Sequence, residues 1–243
     1  MTQLNIFNAK EMYALTHTSD GIPTEWASKT RKSIYRKKRY DNLLLAEGMK
    51  FTEGLGMPIM QPYTSSTDFE IHSFKDRHKL DGKGQAVHFF GDDYTFDGLL
   101  WHRLPNTTME LYKFECVIAP DYSIYVDMPF SYNICNIYKS RFVGAYWQLC
   151  GYNVIPMAGW GNADSLKYSF EGLPTNSVIA VCGTGHDWCA SARKLWEYGM
   201  REMEAHLQPI LVLVYGPPTN IPGFVTPVKF IEDHITNRIR KAI

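Results

Sequence analysis

The sequence predicts an α/β fold, with a mostly parallel sheet of five to six strands and flanking helices. Two observations predict it. Short apolar runs each end in polar or glycine residues, and each is followed by a segment long enough for a helix. Unbroken apolar runs are typical of strands buried on both faces, and the following segments can supply the crossovers that parallel pairing requires. A reduced or irregular TIM-like barrel is the alternative. The predicted strands are residues 86–90, 116–119, 154–157, 178–181 and 210–214.

The helices between these strands have their own signals. Proline is tolerated in the first turn of a helix, so Pro129 predicts the start of a long helix that ends near Gly151. Apolar residues at helical spacing, with Pro209 beyond the end, predict a helix over residues 187–207. We also predict a final helix over residues 227–242.

Two earlier segments have weaker signals. Residues 57–62 contain two prolines, which an edge strand tolerates, so this segment is predicted as an additional short strand at a sheet edge. Residues 64–83 are polar and are predicted to be a surface excursion from the same domain. The domain organisation that follows is a helical basic N-terminal extension over residues 1–55, packed on a single α/β domain over residues 56–243.

The N-terminal extension contains a dense basic run with interleaved tyrosines. Such a run can lie along a phosphate backbone, gaining affinity from counterion release and stacking. A second interpretation is a solvated helix face. The candidate nucleic-acid contacts are Lys29, Arg31, Lys32, Arg36, Lys37, Lys38 and Arg39.

Composition limits the class of protein. The 243 residues are 45% hydrophobic, enough for one substantial core, and the 25 basic and 25 acidic side chains leave no net field to favour nucleic acid or membrane. The five cysteines are an odd number without CxxC spacing, so we expect reduced thiols. With no membrane-length apolar run and no signal-peptide pattern, a soluble cytoplasmic protein without a membrane partner is expected.

Candidate site residues follow from the fold, because ligands of parallel sheets bind outside the carboxyl ends of the strands. Asp92 and Asp93 follow the first run, and Asp121 follows the second. Three carboxylates there could hold a divalent cation, Mg or Mn, or act as acid and base. In the alternative interpretation, Asp93 caps the next helix and Asp121 nucleates a turn.

The fourth run is followed by a glycine-rich turn. Gly183 and Gly185 could aim backbone amides at an anionic group, and His186 could assist proton transfer or ligate a metal. The spacing matches neither a GxGxxG fingerprint nor a Walker loop.

Four further residues are candidate substrate contacts, each with a structural alternative. An arginine can clamp a phosphate or pair with a helix-face acid, and a tryptophan between glycines can stack on a base or lie buried under a loop. These candidates are Arg141, Gln148, Trp160 and Tyr215.

Several ordered motifs are similar to those of the DUF4417 family. They include residues 87–96, 119–125, 144–148 and 170–177. The resemblance spans roughly residues 85–216 and implies one contiguous domain and an origin in bacteria, phages and other mobile elements. No activity is assigned to this family, so the resemblance transfers no catalytic residue.

Together these features favour a mobile-element or phage-type protein that hydrolyses a phosphorylated or nucleotide-like substrate. Asp92, Asp93 and Asp121 would hold a metal or act as acid and base, with His186 assisting. The alternative function is a non-catalytic module that binds nucleic acid or a nucleotide.

Overall fold

The computed structural model describes residues 41–186 and 189–231. Eight short strands are present in these ranges. Contacts divide the chain into Met1–Leu45 and Ala46–Ile243, and the architecture below belongs to the second unit. The predicted domain boundary at residue 55 stays a prediction, and the basic run over residues 29–39 lies outside the described residues. The strands are β1 (Glu70–Ser73), β2 (Gln85–His88), β3 (Cys116–Ile118), β4 (Val154–Ile155), β5 (Met157–Ala158), β6 (Val178–Cys182), β7 (Leu211–Tyr215) and β8 (Val228–Ile231).

The strands form two parallel sheets of four strands each, in the orders β1-β2-β3-β4 and β5-β6-β7-β8. The α/β class and the parallel pairing are therefore confirmed, but the predicted single sheet of five to six strands is wrong. Strand order follows chain order without reversal. This is the order of a TIM-like barrel, whereas a doubly wound sheet reverses its strand order at a switch point.

The run from Val154 to Ala158 joins the two sheets. Its first half pairs with β3, where the Ala119 amide donates to the Ile155 carbonyl at 2.9 Å. Its second half pairs with β6, where the Ala180 amide donates to the Pro156 carbonyl at 2.8 Å. Because Pro156 has no N–H to donate, the ladder changes partner at this residue.

The inner strands β2 and β7 of the two sheets also meet at their carboxyl ends. The Tyr215 ring at the end of β7 stacks on Phe90, just beyond β2, with centroids 4.9 Å apart, and lies 4.7 Å from the ring of His88. All three side chains are buried. The sheets therefore curve so that β2 and β7 face each other across an interior, which supports the barrel-like alternative over an open sheet.

Five helices of the described residues connect or flank the strands. The predicted long helix after Pro129 is confirmed by α3, and the predicted helix that ends at residue 207 is confirmed by α5. The helices are α1 (Asp97–Leu100), α2 (Leu104–Leu111), α3 (Phe130–Leu149), α4 (Leu166–Ser169) and α5 (Ala190–Leu207). No described helix is long and apolar enough to cross a membrane.

Three predictions of secondary structure are wrong. The polar excursion over residues 64–83 contains β1. The final helix predicted over residues 227–242 is wrong for its first residues, which form β8, and its residues 232–242 lie outside the described residues. Both strands lie at an outer edge of their sheet and are only partly buried, so their apolar signal is weak. The predicted strand over residues 57–62 makes only an isolated antiparallel bridge, between Phe51 and Pro58.

The outer face of the second sheet packs on α5. Ile179 and Val181 from β6 and Val212 from β7 share one apolar cluster with Trp196 and Met200 of the helix. Since successive strand residues point to opposite faces, the intervening residues face the interior.

Gly199 permits the close approach of Trp160 to α5. A Cβ built at Gly199 would lie 2.1 Å from Nε1 of the Trp160 ring, which is too close for any real pair of atoms. Trp160 is therefore part of the packing between the second sheet and α5.

We predict that Gly199→Ala lowers the free energy of unfolding by about 1–3 kcal/mol, since the new methyl group would displace the indole ring. Gly98→Ala is the matched control, because a Cβ at Gly98 in α1 meets no atom within 4 Å. That substitution should be neutral or mildly stabilising, as alanine is the better helix former. Urea unfolding of both variants checks this, and equal stabilities would contradict the packing assigned to Trp160.

Candidate functional site

The segments that follow the strands converge at one end of the sheets. We name this end the carboxyl rim. Parallel strands direct their carboxyl ends the same way, so residues distant in sequence meet here. The carboxyl rim comprises Phe90–Asp93, Asp121–Ser123, Gly159, Cys182–Thr184 and Tyr215.

Asp93 is held at the carboxyl rim by Ser123. The Ser123 hydroxyl donates to Asp93 Oδ1 at 2.8 Å, and the Ser123 amide lies 3.1 Å from Oδ2. Burial raises the pKa of Asp93, while these hydrogen bonds oppose that rise. Asp93 therefore joins the loop after β2 to the loop after β3, and its carboxylate does not cap its own helix.

Asp121 lies between Asp93 and Cys182. Asp121 is half-buried. The thiol of Cys182 donates a hydrogen bond to its carboxylate. The backbone of Gly159 is alongside, since a Cβ built there would lie 3.7 Å from Asp121 Oδ1. Burial, with a smaller contribution from the charge of Asp93, raises the pKa of Asp121 to about 7. The carboxyl group of Asp121 therefore ionises near neutral pH.

The thiol of Cys182 is a hydrogen-bond donor rather than a nucleophile. Burial and the neighbouring charge of Asp121 raise its pKa well above the ordinary value of a thiol, so the reactive thiolate is disfavoured. Its sulfur also lies 3.1 Å from the hydroxyl of Thr184, an exposed residue in the turn after β6.

Asp92 differs from the other two carboxyl groups. It is exposed at the start of a short 3-10 turn, where its carboxylate makes no capping bond and its carbonyl accepts from the Thr95 amide and hydroxyl. Across residues 41–186 and 189–231, no group of three or more His, Cys, Asp or Glu side chains could hold a metal ion. Binding of Mg or Mn by Asp92, Asp93 and Asp121 stays a prediction.

The glycine-rich turn after β6 has a structural explanation. A Cβ at Gly183 would lie 2.9 Å from the Val214 side chain, and Gly185 has a φ of 84°, which favours glycine. The His186 side chain is buried against the Trp196 ring, with Nδ1 at the Gly183 carbonyl and Nε2 3.0 Å from the Thr219 hydroxyl. These contacts indicate that His186 holds the turn in position. A role of His186 in proton transfer stays a prediction.

Arg141 lies inside the protein, with a relative exposure of 1%. Its guanidinium donates to the carbonyls of Met157 at 2.8 Å, Ser169 at 2.6 Å and Glu171 at 3.3 Å. Burial lowers the pKa of Arg141. Because its donors are directed at backbone carbonyls, Arg141 joins α3 to β5 and α4, and the geometry supports the structural alternative over a phosphate clamp.

The remaining predicted substrate contacts are separated by the fold. Gln148 exchanges two hydrogen bonds with the backbone of Gln61 and lies at the opposite end of the strands, because α3 runs antiparallel to them. Trp160 packs on Gly199 of α5. Tyr215 does lie at the carboxyl rim, where it is buried against Phe90.

Comparison with known proteins identifies the family of this chain. The model of DUF4417, a domain of unknown function, matches residues 49–225. The chain belongs to the DUF4417 family. The resemblance predicted from the sequence motifs is thereby confirmed. No solved structure matches the chain.

Two phage proteins are relatives of the DUF4417 chain. It is 36% identical over 133 residues to the Gene 1 protein of Mycobacterium phage L5, covering 55% of the chain and 58% of the phage protein. It is 34% identical over 192 residues to the Gene 1 protein of Mycobacterium phage D29, covering 77% and 71%. The predicted association with phages is supported. The family match includes every residue of the carboxyl rim but not the basic run over residues 29–39.

Sequence reasoning found Asp93, Asp121 and Tyr215 but missed two of their partners. Ser123 gave no signal, because its contact with Asp93 joins loops from different strands. Cys182 ends an apolar run, and an unbroken run does not reveal which residues face the interior.

Removal of the guanidinium tests the structural role of Arg141. We predict that Arg141→Met lowers the free energy of unfolding by at least about 3 kcal/mol, because several buried carbonyls lose their donors. Arg103→Met, at an exposed position, is the control and should leave stability unchanged. Thermal and urea unfolding measure the difference, and a stable Arg141→Met protein would contradict this role.

The raised pKa of Asp121 predicts a pH dependence of stability. Between the ordinary value of 3.8 and about 7, the folded state binds a proton that the unfolded state has lost. Stability therefore falls as pH rises through this range, by up to about 1.4 kcal/mol per pH unit.

Asp121→Asn removes this titration, so the variant should gain stability relative to the natural protein as pH rises from 4 to 8. Urea unfolding at both pH values provides the measurement. A stability difference that does not depend on pH would show that Asp121 titrates normally.

Proposed function

We propose that the DUF4417 chain is a hydrolase of a phosphorylated or nucleotide-like substrate, with Asp121 as its proton-transfer group. The observation that carries this proposal is the position of Asp121 at the carboxyl rim, half-buried between Asp93 and Cys182. General bases work best when their pKa lies near the operating pH, and that of Asp121 is about 7.

The carboxylate of Asp121 would accept a proton from a water molecule as the water oxygen attacks the phosphorus. Asp121 then returns this proton to the leaving oxygen, so one P–O bond to the water oxygen forms and one P–O ester or anhydride bond breaks. Cys182 donates a hydrogen bond to Asp121 and so fixes the direction of its carboxylate. Such proton transfer contributes roughly 10²–10⁴-fold to a rate.

Asp93 has a different role in this proposal. Its carboxylate accepts hydrogen bonds from the amide and the hydroxyl of Ser123, which hold it in one orientation. The negative charge of Asp93 contributes to the raised pKa of Asp121, so Asp121 holds its proton more strongly than an ordinary aspartate does. Two carboxyl groups whose surroundings differ in this way are typical of acid-base sites.

The substrate class rests on the turn at Gly183–Gly185, which follows β6 at the carboxyl rim. Thr184 is exposed beside Cys182 in this turn, with its hydroxyl 3.1 Å from the Cys182 sulfur. Mg or Mn remains part of the proposal as a cofactor, with Asp93 and the substrate's own oxygens as the available ligands.

The full-length protein tests this proposal with p-nitrophenyl phosphate, bis-p-nitrophenyl phosphate and nucleoside mono-, di- and triphosphates, each with EDTA, Mg²⁺ or Mn²⁺. We expect release of p-nitrophenol or phosphate, with a rate that rises with pH to a plateau above about 7. Asp121→Asn should lower the rate by about 10²-fold or more.

Asp164→Asn is the matched control, because Asp164 is exposed and ion-paired with Lys167. It should keep the natural rate. Turnover by Asp121→Asn at the natural rate, or nucleotide binding without turnover of any probe, would contradict the proposal. The latter outcome would favour the non-catalytic binding module.

A further inference from the structure

A patch of exposed apolar side chains follows the carboxyl rim. Single exposed apolar residues are common, but here five large ones fall within eight residues. Their relative exposures lie between 43% and 60%. We name these residues the aromatic shelf: Tyr125, Val126, Met128, Phe130 and Tyr132.

The backbone of the aromatic shelf is fixed on α3. The side chain of Asn133 is 1% exposed. Its Oδ1 accepts from the Tyr125 N–H at 3.1 Å, and its Nδ2 donates to the Tyr125 carbonyl at 2.7 Å. Asn136 donates to the Ser123 carbonyl at 2.8 Å. Buried side-chain amides therefore hold this loop in one conformation, so a ligand would not need to order it.

The same contacts fix the distance between the shelf and the carboxyl pair. Tyr125 is four residues beyond Asp121, at most about 14 Å along an extended chain. Ser123 lies between them and holds Asp93. One ligand can therefore contact both the shelf and Asp121.

The charge around the shelf is negative. Residues 120–138 contain Asp121 and Asp127 but no lysine, arginine or histidine. Lys139 is ion-paired with Asp97 at 3.0 Å. The shelf therefore favours groups that donate hydrogen bonds to carboxylates.

We propose that the aromatic shelf binds a nucleobase that carries amino donors, which is the base end of a nucleotide-like substrate. The base packs against the neighbouring rings of Tyr125 and Tyr132, whose centroids are 6.5 Å apart and whose planes are tilted by 38°. The exposed carboxylate of Asp127 accepts from its amino group, as acidic side chains accept from the N4 amino group of cytosine. The proposal rests on the proposed function for the nature of the substrate.

This orientation leaves the phosphate end of the ligand away from Asp127. Asp121 then lies between the base at the shelf and the turn at Gly183–Gly185, which is beside Cys182. The arrangement discriminates by base. Cytidine, adenosine and guanosine carry amino groups, whereas uridine offers carbonyl oxygens at the corresponding position, which Asp127 repels.

The test is calorimetric titration of the full-length protein with cytidine, uridine, adenosine and guanosine. The three amino-bearing nucleosides should bind, and uridine should bind more weakly. Tyr125→Leu and Tyr132→Leu should each weaken binding by roughly 5- to 100-fold, the range of a lost stacking contact. Tyr125→Phe keeps the ring and should retain binding, and Asp127→Asn should reduce the discrimination between cytidine and uridine.

Tyr112→Leu is the matched control. Tyr112 is 83% exposed and lies beyond the end of α2, beside Tyr152 and away from the carboxyl rim. It should bind nucleosides as the natural protein does.

Two results would overturn the inference. One is the absence of nucleoside binding, or binding that is unchanged in Tyr125→Leu. The other is a concentration-dependent dimer, measured by light scattering, that Tyr125→Leu abolishes, since the shelf would then be a contact between copies. Asp121→Asn should still bind nucleosides, so loss of turnover in that variant and loss of binding in Tyr125→Leu report separately on the proposed function and on the shelf.

Discussion

The change of pairing partner at Pro156 is the constraint on which the carboxyl rim depends. The run from Val154 to Ala158 pairs first with β3 and then with β6, because Pro156 has no N–H with which to continue the first ladder. Asp121 follows β3, and Cys182 ends β6. Without a strand common to both sheets, these two residues would belong to separate surfaces.

Burial at the carboxyl rim determines the chemistry that the residues there can perform. An isolated aspartate at the surface is ionised at neutral pH, whereas Asp121 is desolvated beside a second carboxyl group and exchanges its proton near pH 7. Ser123 and Cys182 satisfy the two carboxyl groups with hydrogen bonds. Burial destabilises the negative charge of these carboxyl groups, yet Asp121 lies where a ligand can reach it. Such carboxyl groups are typical of functional sites rather than of structural positions.

The sequence predicted the central strands but not the edges. Strands such as β6 and β7 are buried along nearly their whole length, so an apolar run marks each one. The edge strands β1 and β8 are mostly only partly buried, and their sequences resembled a loop and a helix. For the site, the rule that ligands lie beyond strand ends selected Asp93 and Asp121. It could not identify Cys182, because continuous burial hides the face to which a side chain points.

Desolvation of the Asp121 carboxyl group at the carboxyl rim is best tested by titration of its carboxyl carbon with ¹³C NMR, assigned with the Asp121→Asn variant. We expect a midpoint near pH 7. A midpoint near 4, the value of an ordinary aspartate, would contradict this expectation.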